Sequence, residues 1–88
     1  MTILLVEDNP ELTQNICQYL SQQGLICEAV ATLYEAEDRI LSFDYDCILL
    51  DLMLPDGNGL QLLQTIKTTH PQWNVLIISA KDALDDRL

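Results

Sequence analysis

Three short apolar runs, Thr2–Val6, Cys47–Leu50 and residues 74–78, each stop abruptly at a polar or charged residue. None alternates between apolar and polar, so each suits a strand covered on both faces, as in a parallel sheet sandwiched by helices. Helix signals fill the intervals. Asn9 can cap a helix whose first turn accepts Pro10. Leu12, Ile16, Tyr19 and Leu20 then recur at helical spacing as far as Gly24, a natural C-terminal stop. A weaker strand over 25–30 is interrupted by Glu28. Thr32 and Glu35 are spaced as a capping box, which predicts a helix to about Ser42 that turns Ala36 and Ile40 inward. A loop over 52–57 carries Pro55 and Gly57 as turn formers. Asn58 is placed to cap a helix in which Leu60, Leu63 and Ile66 share a face, and Pro71 ends that region. Lys81 opens a further helix. The order β-α-β-α-β-α-β-α predicts an α/β fold with a doubly wound parallel sheet and right-handed crossovers.

Composition narrows what such a fold could do. Eighty-eight residues is room for one domain, and a hydrophobic fraction of 49% supports a packed core. No run approaches the ~18 to 20 apolar residues of a membrane helix. Met1 is followed directly by Thr-Ile-Leu-Leu-Val, without a basic region or small-residue cleavage site, so no signal peptide is expected. Fourteen acidic residues against four basic ones give a formal net charge of −10. Arg39, Lys67, Lys81 and Arg87 are scattered, so no basic stripe exists and nucleic acid is not an expected partner of this segment. Cys17, Cys27 and Cys47 are odd in number and form no CxxC pair. They are expected to be reduced core thiols of a cytoplasmic protein, not a disulfide frame or a zinc site.

The chemistry gathers at the strand ends. Open parallel sheets bind ligands beyond the carboxyl ends of their strands. The first strand delivers Glu7 and Asp8 there, the third Asp51 and the fourth Ser79. One acid after a buried strand is most often a turn former or cap, and Asp8 alone would be read that way. Several carboxylates converging from different strands repel each other unless a hard divalent cation lies among them, and oxygen-only ligands suit Mg²⁺. Carboxylate, Mg²⁺ and hydroxyl together make a set for phosphoryl transfer.

The strings Val6-Glu7-Asp8-Asn9, Leu49-Leu50-Asp51-Leu52-Met53-Leu54-Pro55-Asp56-Gly57-Asn58-Gly59 and Ile78-Ser79-Ala80-Lys81 resemble, in order and spacing, the receiver domains of bacterial two-component response regulators. The resemblance covers essentially the whole chain, 1–88, and its most specific part is the string that begins at Asp51. Ser79-Ala80-Lys81-Asp82 with Asp85-Asp86-Arg87 looks most like the subfamily with a winged-helix DNA-binding output domain. The fold so implied is flavodoxin-like, with strand order 2-1-3-4 here. The resemblance also implies roles. Asp51 would accept a phosphoryl group from a sensor histidine kinase. Asp8, Asp51, Glu7 and the backbone carbonyl of Met53 would hold Mg²⁺, and Ser79 would hydrogen-bond the phosphoryl group. Met53 and Lys81 would flank the path of the hydrolytic water, although Lys81 reads more simply as a solvated helix-start residue. His70, the only histidine, is expected at the surface and not phosphorylated. Tyr19, Phe43 and Tyr45 are read as packing or turn residues.

The family pattern continues through a fifth strand and helix, with a lysine on that strand, and neither Lys67 nor Lys81 can supply it. The chain therefore reads as a receiver truncated before its fifth strand, with an exposed sheet edge expected to drive self-association. Two functions follow as expectations. One is a Mg²⁺-dependent phosphoacceptor switch with at most weak autophosphorylation and autophosphatase activity, controlling an output domain and having no separate substrate. The other is a receiver-like interaction or dimerisation fragment that is not phosphorylated. A hydrolase of the aspartyl-phosphate type would need a second acid where Met53 stands. A nucleotide-binding domain would need a glycine-rich loop where Glu7-Asp8-Asn9-Pro10 stands.

Overall fold

The computed structural model describes residues 1–78. In chain order the elements are β1 (Thr2–Val6), α1 (Pro10–Gln22), β2 (Ile26–Val30), α2 (Leu33–Ser42), β3 (Cys47–Leu50), β4 (Met53–Leu54), β5 (Gly57–Asn58), α3 (Gly59–Thr69) and β6 (Asn74–Ile77). The expected helix after Lys81 lies outside the described residues. The four longer strands form one sheet in the order β2-β1-β3-β6, with every pairing parallel. Counting only those strands, this is the expected 2-1-3-4 order. The segment 52–57, expected as a plain loop, instead folds back as the antiparallel β4–β5 hairpin, pairing Met53 with Asn58 and Leu54 with Gly57. Strands of two residues leave no periodicity to detect.

Each helix begins where a side chain caps it. Asn9 Oδ1 accepts from the Glu11 and Leu12 N–H groups at 3.0 and 3.1 Å, and Pro10 occupies the first turn. Thr32 Oγ1 accepts from the Glu35 N–H at 3.1 Å, while the Glu35 carboxylate reaches back to the Ala31 N–H at 3.1 Å. Asn58 Oδ1 accepts from the Leu60 N–H at 2.8 Å. Gly24 ends the first helical region with φ of +81°, a conformation that suits glycine.

One face of the sheet is sealed. Leu4 and Val6 from β1 and Ile48 and Leu50 from β3 pack against Leu33, Ala36 and Ile40 of α2 and Leu62 and Ile66 of α3. Burying each such side chain stabilises the fold by about 1.5 to 3 kcal/mol. The inward stripe of α3 is Gly59, Leu62 and Ile66, whereas Leu60 is 50% exposed and Leu63 only half-buried. The expected Leu60–Leu63–Ile66 face was displaced because a glycine, which carries no apolar signal, takes the position nearest the sheet. The other face is thinner. Among the described residues α1 has no fully buried side chain, and Leu12, Thr13, Ile16, Cys17 and Leu20 are half-buried. Tyr19, expected inward, points to solvent at 61% exposure. Phe43 is exposed at the C-cap of α2, and Tyr45 is buried.

At the end of the sheet opposite the strand carboxyl ends, Trp73 meets Tyr45 edge to face at 5.9 Å. His70 is not a free surface residue. Its ring stacks on Trp73 at 3.7 Å and its Nε2–H donates to the Ile40 carbonyl at 3.0 Å. The Tyr45 hydroxyl donates to Glu28 Oε1 at 2.7 Å, and Arg39 Nη1 donates to the same oxygen at 3.3 Å. Burial and then the Glu28 carboxylate push the Tyr45 hydroxyl up to about 12. A raised phenol favours the neutral form in the folded state. Its contribution is therefore whole below the ordinary value near 10 and is lost as pH rises through about 12. Tyr45→Phe is expected to lower stability at neutral pH by about 1 to 2 kcal/mol. It should also flatten the loss of stability between pH 10 and 12, and denaturant titrations across that range check both effects.

Cys17 on α1 and Cys27 on β2 are joined as a disulfide, with Cα atoms 5.4 Å apart, which corrects the expectation of three reduced thiols. They stand ten positions apart in sequence, and only the packing of α1 on β2 brings them together. Cys47 remains a free thiol, half-buried on β3.

Candidate functional site

The parallel register dictates where the acids meet. Val6 is aligned with Leu50, so Glu7 and Asp51, each the next residue, leave neighbouring strands at the same level. Neighbouring strands run about 4.8 Å apart, which makes close approach of the two side chains unavoidable. Backbone bonds extend the alignment past the strand ends: the Glu7 N–H donates to the Val30 carbonyl and the Asp51 N–H to the Val6 carbonyl, both at 3.0 Å.

Glu7, Asp8 and Asp51 each offer a carboxylate oxygen, and these atoms lie within 4.8 Å of one another. Asp51 is wholly enclosed and Glu7 nearly so, while Asp8 is half-buried. Glu7 and Asp51 are each held by the turn that follows the strand. Glu7 Oε2 accepts from the Asn9 N–H at 2.9 Å, and its carbonyl accepts from the Thr13 hydroxyl at 3.3 Å, which ties the residue to the first turn of α1. Asp51 Oδ1 accepts from the Met53 N–H at 3.1 Å, which places the Met53 peptide beside the carboxylate. A shallow cavity of about 380 Å³ opens next to Glu7 and Asp8, bordered by Pro10, Thr13 and Gln14 of α1. Ser79, Ala80 and Lys81 lie outside the described residues.

Three carboxylates at this spacing fit a hard divalent cation with an all-oxygen shell. Mg²⁺ keeps several waters and takes one or two carboxylates, so a site with one half-exposed acid beside two enclosed ones matches its habits.

Two residues of the string that begins at Asp51 owe their roles to contacts that the string itself does not spell out. Gly59, the first residue of α3, passes so close to β3 that a Cβ there would lie 2.7 Å from the Asp51 carbonyl oxygen and 3.0 Å from the Leu52 Cα. Asp56, at the tip of the β4–β5 hairpin, accepts from the Leu33 N–H at 2.8 Å and the Tyr34 N–H at 3.0 Å. It thereby clamps the hairpin that carries Met53 onto the start of α2. The Leu33 N–H bond, aided by that from Tyr34, holds the Asp56 carboxyl below its usual range despite some desolvation. A lowered carboxyl stabilises the fold above its unfolded value and loses that contribution as pH falls through the folded one. Asp56→Ala is expected to lower the melting temperature at pH 7 and to shrink the further drop on acidification below pH 4, as thermal melts across pH 2.5 to 7 would show.

The chain matches the response regulator receiver domain family over residues 3–88. It is 40% identical over its full length to the transcriptional regulatory protein PmrA of Pectobacterium parmentieri, and 40% identical to HprR of Escherichia coli K12. It spans about 40% of the length of these curated relatives. Among solved structures it superposes on the MaeR response regulator bound to beryllium trifluoride with a TM-score of 0.82 at 28% identity, over 99% of this chain and 75% of that one. It superposes on the non-phosphorylated HemR receiver domain of Leptospira biflexa with a TM-score of 0.82 at 32% identity, over 98% and 73%. A family match that spans residues 3–88, nearly the whole chain, leaves one assignment: this chain belongs to the response regulator receiver domain family.

Proposed function

We propose that the chain is the phosphoacceptor module of a two-component regulator, receiving a phosphoryl group on Asp51 from a sensor histidine kinase and passing the change to a DNA-binding output domain. The observation that carries this reading is the trio of carboxylates converging within 4.8 Å around an enclosed Asp51. The family, the transcriptional regulators among its relatives and the beryllium trifluoride bound to MaeR all support it. The cytoplasm, where kinase and DNA are both accessible, is the matching location, and no helix of the described residues is long and apolar enough to cross a membrane.

In this reading the Met53 N–H fixes the plane of the Asp51 carboxylate. A carboxylate oxygen attacks phosphorus, the bond from phosphorus to the donor nitrogen breaks, and the nitrogen leaves with the electron pair. Asp8, Asp51, Glu7 and the Met53 carbonyl would hold Mg²⁺, which would supply neutralising charge for the phosphoryl oxygens. Ser79 donates to a phosphoryl oxygen and links the event to the segment after β6. The phosphoryl group ends on the chain itself and is later lost to water, so the module is a switch and not an enzyme with a separate substrate. Incubation with Mg²⁺ and a small-molecule phosphodonor, followed by intact mass, should show one phosphoryl adduct that Asp51→Asn lacks. Absence of the adduct with Mg²⁺ binding retained would leave the interaction-module reading.

The module also self-associates in this account. Leu76 and Ile77 of β6 are 58% and 42% exposed, and an apolar groove of about 540 Å³ runs past Ile3, Leu20, Cys47, Leu49 and Leu76. Such a surface is a site for pairing with another chain. Light scattering of the 88-residue chain should give a mass above the monomer at micromolar concentration, and a clean monomer would rule this out.

A further inference from the structure

We propose that Cys17 and Cys27 form a reversible oxidation site, a thiol–disulfide couple through which small-molecule disulfides staple α1 to β2. Three observations carry it. The Cα atoms lie 5.4 Å apart, inside the range that a disulfide spans without backbone movement. Both side chains are half-buried, so an oxidant can reach them and a bond between them remains accessible to thiols. The two residues belong to different elements, and one of these, α1, has no fully buried side chain to anchor it among the described residues. A crosslink therefore ties to the sheet a helix that has no fully buried side chain among the described residues.

The chemistry closes with a disulfide of the glutathione type as oxidant. One cysteine thiolate attacks a sulfur of the oxidant, forming a mixed disulfide and breaking the oxidant's S–S bond. The first small thiolate leaves and takes up a proton. The second cysteine thiolate then attacks the protein sulfur, closes Cys17–Cys27 and expels the second small thiolate, which also takes up a proton. Two electrons pass to the oxidant, two small thiols are released, and excess thiol reverses every step. Cys47 is the bystander: it lies on β3 and burial pushes its thiol up, which lowers its thiolate fraction.

Restraint of α1 reaches the acidic site by a short route, because the same helix starts at Asn9 and its first turn holds Glu7 through the Asn9 N–H and the Thr13 hydroxyl. The oxidation site itself does not depend on the phosphoacceptor reading and is tested without phosphate.

The reduced chain is equilibrated in a series of glutathione buffers from reducing to oxidising, trapped by alkylation and measured by intact mass and peptide mapping. The expected product loses two hydrogens, carries one alkyl group on Cys47, and contains a peptide joining Cys17 to Cys27. It returns to three alkylated thiols on addition of excess reduced glutathione. Its melting temperature should exceed that of the reduced chain by on the order of 10 °C. Cys47→Ser should retain the whole shift, and Cys17→Ser and Cys27→Ser should each abolish it. Comparing oxidised and reduced forms of a single chain keeps the test valid even where a serine variant folds poorly. Persistent glutathione adducts on Cys17 or Cys27, oxidation only to Cys47-linked dimers, or equal melting temperatures for both forms would each overturn the proposal.

Discussion

Asp51→Asn should abolish phosphoryl uptake and, in metal-free buffer, raise the melting temperature by roughly 5 to 10 °C. The two effects share one cause. Three carboxylate oxygens lie within 4.8 Å of one another, and with Asp51 wholly enclosed and Asp8 half-buried, water screens their repulsion only in part. Two unit charges at that distance interact with about 3 to 4 kcal/mol at an effective dielectric of ~20. Side-chain relaxation leaves about 1 to 2 kcal/mol, and each kcal/mol moves the midpoint of a domain of this size by about 4 to 8 °C. Asparagine keeps the shape and can still accept from the Met53 N–H, so the packing survives while the charge is gone. Magnesium reverses the ranking. A cation that binds only the folded wild-type chain adds about 2.7 kcal/mol at a hundred times its Kd, and the asparagine variant gains much less. Melts with and without Mg²⁺ check this. A variant less stable than wild type in metal-free buffer, or one with an equal magnesium response, would show that the acids do not act as one site.

Gly59→Ala is expected to cost about 1 to 3 kcal/mol and to weaken Mg²⁺ binding about tenfold. Helix propensity alone argues the opposite sign, since alanine is better than glycine in a helix by about 1 kcal/mol. Space decides. The new Cβ would lie 2.7 Å from the Asp51 carbonyl oxygen and 3.0 Å from the Leu52 Cα, and both are backbone atoms that cannot rotate aside. Either α3 lifts off the sheet, uncovering Leu62 and Ile66, or the Asp51 peptide moves and takes its carboxylate with it. The Gly59 N–H also donates to the Leu52 carbonyl at 2.8 Å, so relief by lifting the helix loses that bond too. Urea denaturation with calorimetric Mg²⁺ titration measures both consequences. A variant as stable as wild type with unchanged affinity would mean that the close approach is not tight in solution.

The acids were legible because each ends an apolar run, and parallel pairing carries all strand ends to one edge. Asn9, Thr32 and Asn58 were legible as caps because the cap is a local bond between a short polar side chain and the next turn. What escaped depends on distant parts of the chain. Cys17 meets Cys27 only after α1 packs on β2, and His70 finds the Ile40 carbonyl only after α2 and α3 are side by side. Asp56 read as a turn residue because its partners, Leu33 and Tyr34, are more than twenty positions away. On α3 the leucines at 60 and 63 drew attention from Gly59, whose importance lies in an atom it lacks.

The central claim, that Asp51 and no neighbouring acid is the phosphoacceptor, is tested most directly by trapping the acyl phosphate. Borohydride reduces an aspartyl phosphate to homoserine, and peptide sequencing by mass then locates it. The account predicts homoserine at position 51 alone, dependent on both Mg²⁺ and phosphodonor. Homoserine at position 8, or a phosphoryl group retained on His70 instead, would contradict it.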